Sequence, residues 1–281
     1  MPSPKERRIA IGDVHGELDG LREILRHAGL IDGRDSWTGG ESVLIQTGDV
    51  IDRGPHSREC VRLLRSLQSE ALRSGGQVVR LCGNHELMLL QGNYDYTNFA
   101  DPSGLARELR DESIAGKILA SFSDGSRLYT HAGLRSDIRS ATENEVGSRT
   151  FGGPLSRGGL KRLSDRLNSI FVSWVKDEHL ERHPIFHVDP ARGGQDPVGG
   201  IFWCDYSMMC ASARAYDIPQ IFGHTPTRKS SVDHSHGLKL IDIDAGMAQV
   251  LGGNRVYVEL SPKDEIIQHS KRRSGWNRKV L

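Results

Sequence analysis

Short apolar runs alternate with stretches whose apolar residues recur at helical spacing, and Gly, Asp and His crowd the turns between them. Arg8 to Ile11 reads as a buried strand that stops at Gly12. Leu18, Leu21, Leu25 and Ala28 then repeat along one helical face, with Gly29 placed to end it. Val43 to Gln46 predicts a second strand, and a helix from Ser57 follows, with Val61, Leu64 and Leu67 on one face and Ser57 as its N-cap. Gly75-Gly76 breaks that helix before a third strand, Val78 to Leu81. Strand–loop–helix repeated three times predicts an α/β fold.

Residues 92 to 125 read as mainly helical, and Arg127 to Thr130 as another short strand. Residues 136 to 198 are less regular, rich in Gly, Pro and Arg, with a helical stretch over Leu160 to Trp174. They are expected to form an insertion or lid over the scaffold. A helix is expected over 207 to 216, and strands over 220–222, 238–243 and 256–260. The end of the chain, 270–281, holds Lys271, Arg272, Arg273, Arg278 and Lys279 with no acid, and reads as a solvated, flexible basic tail. The whole of 1–281 is expected to be one domain.

With 281 residues, the chain is long enough for a sizeable core. Lys plus Arg number 37 against 36 Asp plus Glu, a balance that argues against a dedicated nucleic-acid binder. No apolar run is long enough to span a bilayer, so no membrane partner is expected, and Met1 to Arg8 is polar, unlike a secretory leader. Cys60, Cys82, Cys204 and Cys210 are too scattered for a disulfide framework or a thiolate zinc site. A cytoplasmic enzyme with reduced thiols is the expectation.

The candidate chemistry gathers just past the strand ends. The first strand gives Gly12-Asp13-Val14-His15-Gly16, the second Gly48-Asp49-Val50-Ile51-Asp52-Arg53-Gly54, and the third Gly83-Asn84-His85-Glu86. Thr130-His131-Ala132-Gly133 and Gly223-His224-Thr225-Pro226 follow later strands. Ligands bind at that edge of open α/β sheets, so five loops can present Asp, His, Asn and Arg into one crevice. A mixed N/O donor set without thiolates suits Mn, Fe, Zn or Ni. Two such ions can stabilise both oxygens of an in-line displacement and supply a hydroxide from a bridging water. Arg53 offers bidentate donors to phosphate, His85 can protonate a leaving alcohol, and Asp52 can hold its ring. Taken singly, Asp13, Asp49 and Asp52 are also good turn residues. Glu86 reads as an acid at a helix start rather than a ligand. Tyr94 and Tyr96 read as packing residues. Pro184 argues against a helical metal face made by His179, His183 and His187.

In this order, the five segments resemble the signature of the calcineurin-like metallophosphoesterases, in the form of the phosphoprotein phosphatase branch. Gly76 to Leu81 before the third segment, Gly92-Asn93-Tyr94-Asp95-Tyr96 after it, and Ile243-Asp244-Ala245-Gly246-Met247 near the end are most similar to the bacterial-type Shewanella-like phosphatases. The resemblance implies two mixed β-sheets packed face to face, with helices outside and a dinuclear metal site at the strand ends. It implies one divalent ion, most readily Mn, on Asp13, His15 and Asp49, and a second on Asp49, Asn84, His131 and His224. It also implies His85 as the acid, Asp52 as its orienting partner and Arg53 on the phosphate. Pro226 stands where the wider superfamily often has a further His, which implies three side-chain ligands for the first ion. Where close relatives carry an Arg after the Trp matching Trp203, this chain has Cys204 and Asp205. Arg110, Arg192 and Arg214 are the candidate substitutes.

The expected activity is metal-dependent hydrolysis of a phosphomonoester by direct attack of a metal-bridged hydroxide, with a phosphoprotein or small phosphoester as substrate. Phosphotyrosine and phosphoserine/threonine remain alternatives. A dinucleoside polyphosphate hydrolase or phosphodiesterase is the alternative enzyme, and a non-catalytic metal-binding scaffold the alternative class.

Overall fold

A computed structural model describes residues 7–144, 156–177, 182–212 and 215–281. Twelve strands build two sheets among the described residues. The first sheet uses β1 (Arg8–Ile11), β2 (Val43–Gln46), β3 (Gln77–Leu81) and β4 (Ile118–Leu119), which run parallel. The second uses β5 (Ser121–Ser123), β6 (Leu128–Thr130), β7 (Gln220–Phe222), β8 (Asp233–Ser235) and β9 (Leu240–Asp242), in the order β5-β6-β7-β9-β8 with β6, β7 and β9 parallel. Then β10 (Val256–Leu260), β11 (Ile266–Arg272) and β12 (Gly275–Val280) extend the first sheet antiparallel from β1.

The helices are α1 (Leu18–His27), α2 (Ser57–Arg73), α3 (Asn84–Leu90), α4 (Pro102–Ile114), α5 (Ser136–Asn144), α6 (Arg157–Asp177) and α7 (Tyr206–Ala211). No described helix is long and apolar enough to cross a membrane.

The strand alternation explains the layers. Ala10, Val43, Ile45, Val79 and Leu81 point one way and pack on Tyr129, Ile221 and Ile241 of the second sheet. Ile9, Ile11, Leu44 and Val78 point the other way, into a core shared with Leu21 and Leu25 of α1 and Leu64 and Leu67 of α2. Both faces of β1 and β2 are therefore buried, which is why those runs are continuously apolar. The outer face of the second sheet, through Phe222 and Leu240, packs on Met209 of α7. Stacking the sheets brings the C-terminal ends of β1, β2, β3, β6 and β7 to one rim.

Several expectations change. Residues 92–125 hold α4 but also β4 and β5, and the helix expected over 207–216 is α7, which ends at Ala211. Residues 270–281 form the end of β11 and all of β12 rather than a frayed tail. Trp276 explains this, because its ring stacks on His27 of α1 with centroids 4.0 Å apart. Part of 136–198 belongs to the scaffold, since Leu160, Leu163, Leu167, Ile170, Phe171 and Trp174 of α6 are buried in the main core. Ser57 is not the N-cap of α2. That place falls to His56, and the Ser57 hydroxyl accepts from the backbone N–H of Asp52 at 2.9 Å.

Candidate dinuclear metal site

Each motif residue sits just past the end of a parallel strand: Asp13 and His15 after β1, Asp49, Asp52 and Arg53 after β2, Asn84 and His85 at the start of α3 after β3, His131 after β6 and His224 after β7. The loops are cross-linked by backbone bonds. The carbonyl of Asp49 accepts from the N–H of Val14 and of His15, both at 2.9 Å, and Gly54 N–H donates to the His15 carbonyl at 2.9 Å. The tight fit excludes side chains at two glycines. A Cβ on Gly83 would lie 2.1 Å from Asp49 Oδ1, and one on Gly223 would lie 2.4 Å from Asp13 Oδ1. Those two carboxylate oxygens are themselves anchored, by His85 N–H at 3.0 Å and His224 N–H at 3.1 Å.

Asp49 is the centre. Its Oδ2 lies 3.5 Å from His15 Nε2 and 3.9 Å from His85 Nε2, and its Oδ1 lies 3.6 Å from His131 Nε2. Asp13 Oδ2 lies 3.7 Å from His15 Nε2. On the other side, Asn84 Oδ1 is 2.9 Å from both His131 Nε2 and His224 Nδ1, and those two nitrogens are 3.1 Å apart. Asp13, His15, Asp49, Asn84, His131 and His224 are all buried.

The donor set fits cations. The Nδ1 of His131 faces the Thr47 carbonyl and that of His15 faces the Ile51 carbonyl, each at 2.9 Å. A carbonyl only accepts, so each ring spends its proton there and presents Nε2 as a lone pair. Burial keeps these rings neutral: the pKa of His15 falls to about 3, and those of His131 and His224 also fall. Acceptors thus outnumber donors where Asp13, His15, Asp49, Asn84 and His131 converge. Asp13 Oδ2 is buried without a hydrogen-bond partner. The guanidinium of Arg53 donates to the His15 Nε2 lone pair, so a positive group already seeks this position. Burial works against ionising Asp49, yet the ring of His85, whose own pKa is raised, and the backbone N–H of His85 favour its carboxylate form. Two overlapping groups, His15–Asp49–His85 and Asp49–His131–His224, have donor atoms close enough to share an ion.

His85 differs from the other rings. Its Nδ1 is 2.6 Å from Asp52 Oδ2, so Nε2 faces Asp49 and the crevice. Burial disfavours its charge, but Asp49 and the Asp52 hydrogen bond outweigh burial and raise its pKa. Five site residues carry left-handed backbones, with φ of 47° at His15, 55° at Asp49, 68° at Asp52, 63° at Arg53 and 77° at His224. Such non-glycine conformations cost about 1–3 kcal/mol each and gather where a site is held under constraint.

A cavity of about 570 Å³ opens on these groups. Asp49, Asn84, His85 and His224 line its buried end, and Arg53 and Arg192 line it beside them. Arg192 is held by Asp205, Nη2 to Oδ2 at 3.0 Å, and Asp205 also caps α7. Asp205 therefore supports an arginine rather than opposing an anion. Arg110 donates instead to the carbonyls of Val175 and Leu90, and Arg214 lies outside the described residues. Tyr94 and Tyr96 are exposed rather than packed, and Tyr96 lines the cavity with its ring edge-on to His85. His179 also lies outside the described residues, while the His183 ring accepts from the N–H of Ile185.

Glu86 is the residue whose importance the sequence understates. It is buried, and its carboxylate accepts from four backbone N–H groups: Gly83 at 2.9 Å, Asp49 at 2.8 Å, Val50 at 2.9 Å and Ile51 at 3.2 Å. It thereby ties the loop carrying Asp49 to the start of α3, which carries Asn84 and His85. Burial and the charge of Asp49 push its pKa up to about 7, and the hydrogen bonds from Gly83 and Asp49 pull it down.

The chain is similar to known proteins. Shewanella-like protein phosphatase 2 of Arabidopsis thaliana is 46% identical over 91 residues, which is 32% of this chain and 23% of that protein. Shewanella-like protein phosphatase 1 of Plasmodium berghei is 43% identical over 90 residues, 32% of this chain and 25% of that protein. This chain thus matches about a quarter of the length of each. A cold-active protein-tyrosine phosphatase from a Shewanella species shares the fold, with a TM-score of 0.69, 21% identity and coverage of 98% of this chain and 80% of that one. The calcineurin-like phosphoesterase family model matches residues 7–228, a span that holds all five motif loops. On that match the chain belongs to the calcineurin-like phosphoesterase family.

Proposed function

We propose that the chain is a metal-dependent phosphomonoester hydrolase whose favoured substrates are phosphoproteins. The observation that carries the reading is the centring of Asp49 between His15 on one side and Asn84, His131 and His224 on the other, with Arg53, Arg192 and the His85–Asp52 pair beside them. Relatives named as Shewanella-like protein phosphatases support the choice of substrate class. Asp13, His15 and Asp49 would hold one divalent ion, and Asp49, Asn84, His131 and His224 the other. Manganese is the first choice, with Fe, Zn or Ni as alternatives that the same donors accept. When bound, the ions would polarise the phosphoryl group and lower the pKa of the attacking water.

The side chains do the rest. Arg53 and Arg192 bind the phosphoryl oxygens as charged donors and fix the phosphorus in place. His85 delivers the Nε2 proton to the leaving oxygen as the ester bond breaks, and Asp52 holds the ring by Nδ1 and stabilises its protonated form. No covalent bond to the protein is needed. Cytoplasmic residence belongs to the same proposal and rests on four cysteines that are all free thiols.

His85→Ala tests the acid role. It is expected to keep its metal content and lose about 10²–10⁴-fold in turnover of a phosphopeptide. Metal-loaded His85→Ala with full activity would sink that role. A second reading has support from a named relative: a symmetrical bis(5'-nucleosyl)-tetraphosphatase of Cronobacter sakazakii is 40% identical over 80 residues, 28% of this chain and 23% of that protein. Phosphate release from phosphotyrosyl, phosphoseryl and phosphothreonyl peptides beside diadenosine tetraphosphate separates the two. A strong peptide preference is expected, and a dinucleotide preference would replace the substrate claim while leaving the proposed ligands in place.

A further inference from the structure

One cation that lines the cavity is not among the groups assigned to the phosphate. Three guanidinium groups line it, on Arg53, Arg192 and Arg228, against one carboxylate, Asp49, which faces the imidazoles. Arg192 is half-buried, and Arg53 is exposed although its guanidinium reaches His15. Arg228 is exposed, and among the described residues its guanidinium has no hydrogen-bond or ion-pair partner.

Its position is nevertheless built into the loop. Arg228 lies four residues after His224 and adopts φ 55°, a left-handed conformation unusual for an arginine. The turn around it is pinned. Thr227 N–H donates to the Asp244 carbonyl at 2.9 Å, the Thr227 hydroxyl donates to the Ser231 carbonyl at 3.1 Å, and Lys229 N–H donates to that hydroxyl at 3.3 Å. Pro226 and Leu251 also line the cavity. A loop that spends backbone strain to aim an unpaired cation into the cavity is suited to a substrate group, not to a partner within the fold.

We propose that Arg228 is a specificity-determining residue that binds a second anionic group on the substrate, foremost an acidic side chain flanking the phosphorylated residue of a peptide. This rests on the phosphatase reading above. A second phosphate of a dinucleoside polyphosphate offers the same anion chemistry, so the test must separate the two sources.

The test uses the manganese-loaded full chain and two phosphopeptides that differ only in having acidic or neutral residues beside the phosphorylated one. Wild type is expected to favour the acidic peptide in kcat/KM by about fivefold, the upper end for a solvent-exposed ion pair. Arg228→Ala should collapse that ratio to about one, through KM rather than kcat, with unchanged metal content. Arg228→Lys should keep most of it, because the charge remains. A wild-type ratio of one, or a ratio that survives Arg228→Ala, would overturn the proposal. If Arg228→Ala instead lowers only the hydrolysis of diadenosine tetraphosphate, the acidic peptide is overturned as the source of the anion. No hydrolysis of either peptide would bring down the phosphatase reading itself, a result distinct from hydrolysis without discrimination.

Discussion

Glu86 shows how one buried carboxylate can hold a site without touching substrate. Its four N–H donors come from two different strand ends, so its loss would strand four buried donors and loosen the loop bearing Asp49 from the start of α3, which bears Asn84 and His85. Glu86→Ala is expected to destabilise the fold by about 3–5 kcal/mol and to weaken metal binding in the same preparation. Denaturant unfolding and metal titration check this, and a change under about 1 kcal/mol with unaltered metal affinity would contradict it. The sequence places Glu86 at a helix start, where an acid is ordinary. That its other donors lie on a loop some 35 residues upstream is a matter of tertiary placement, which local pattern does not carry. By contrast Asp13, His15, Asp49, Asn84, His85, His131 and His224 were legible, because each follows a strand end and all those strand ends share a rim.

Among the elements, the ion-paired seam between α2, β3 and α4 contributes to stability against acid. Glu112 of α4 is bonded by Arg80 of β3 at 3.0 Å and by Arg65 of α2 at 2.6 Å. Burial opposes its charge, but the two arginines outweigh burial and hold its pKa below the usual carboxylate range. A carboxyl depressed in the folded state stabilises fully above its unfolded pKa, about 4.5, and loses that contribution as pH falls through the lower folded value. Glu112→Gln would leave Arg80 buried without its anion and should cost about 3–5 kcal/mol at neutral pH. The difference from wild type should shrink as pH drops below about 4, and a difference that is constant across pH 3 to 7 would refute the assignment. Strands β1, β2, β7 and β10 matched their apolar runs because they are buried on both faces or paired centrally. The β11–β12 hairpin was hidden because its edge strand is rich in Arg and Lys, and the feature that fixes it, Trp276 on His27, joins residues from opposite ends of the chain.

At the scale of the whole molecule, two sheets from distant parts of the sequence face each other so that Asp13, Asp49 and Asn84 from one meet His131 and His224 from the other. Neither half holds the full donor set, so metal binding should also bind the sheets together and raise stability by mass action. The defining claim is that this junction takes two ions and that both serve hydrolysis. The direct measurement is a titration of metal-stripped protein with Mn²⁺, following bound metal and p-nitrophenyl phosphate turnover in one sample. Two ions per chain are expected, with turnover rising to its limit only as the second binds. Saturation at one ion, or undiminished turnover after chelation of all metal, would contradict a dinuclear phosphatase.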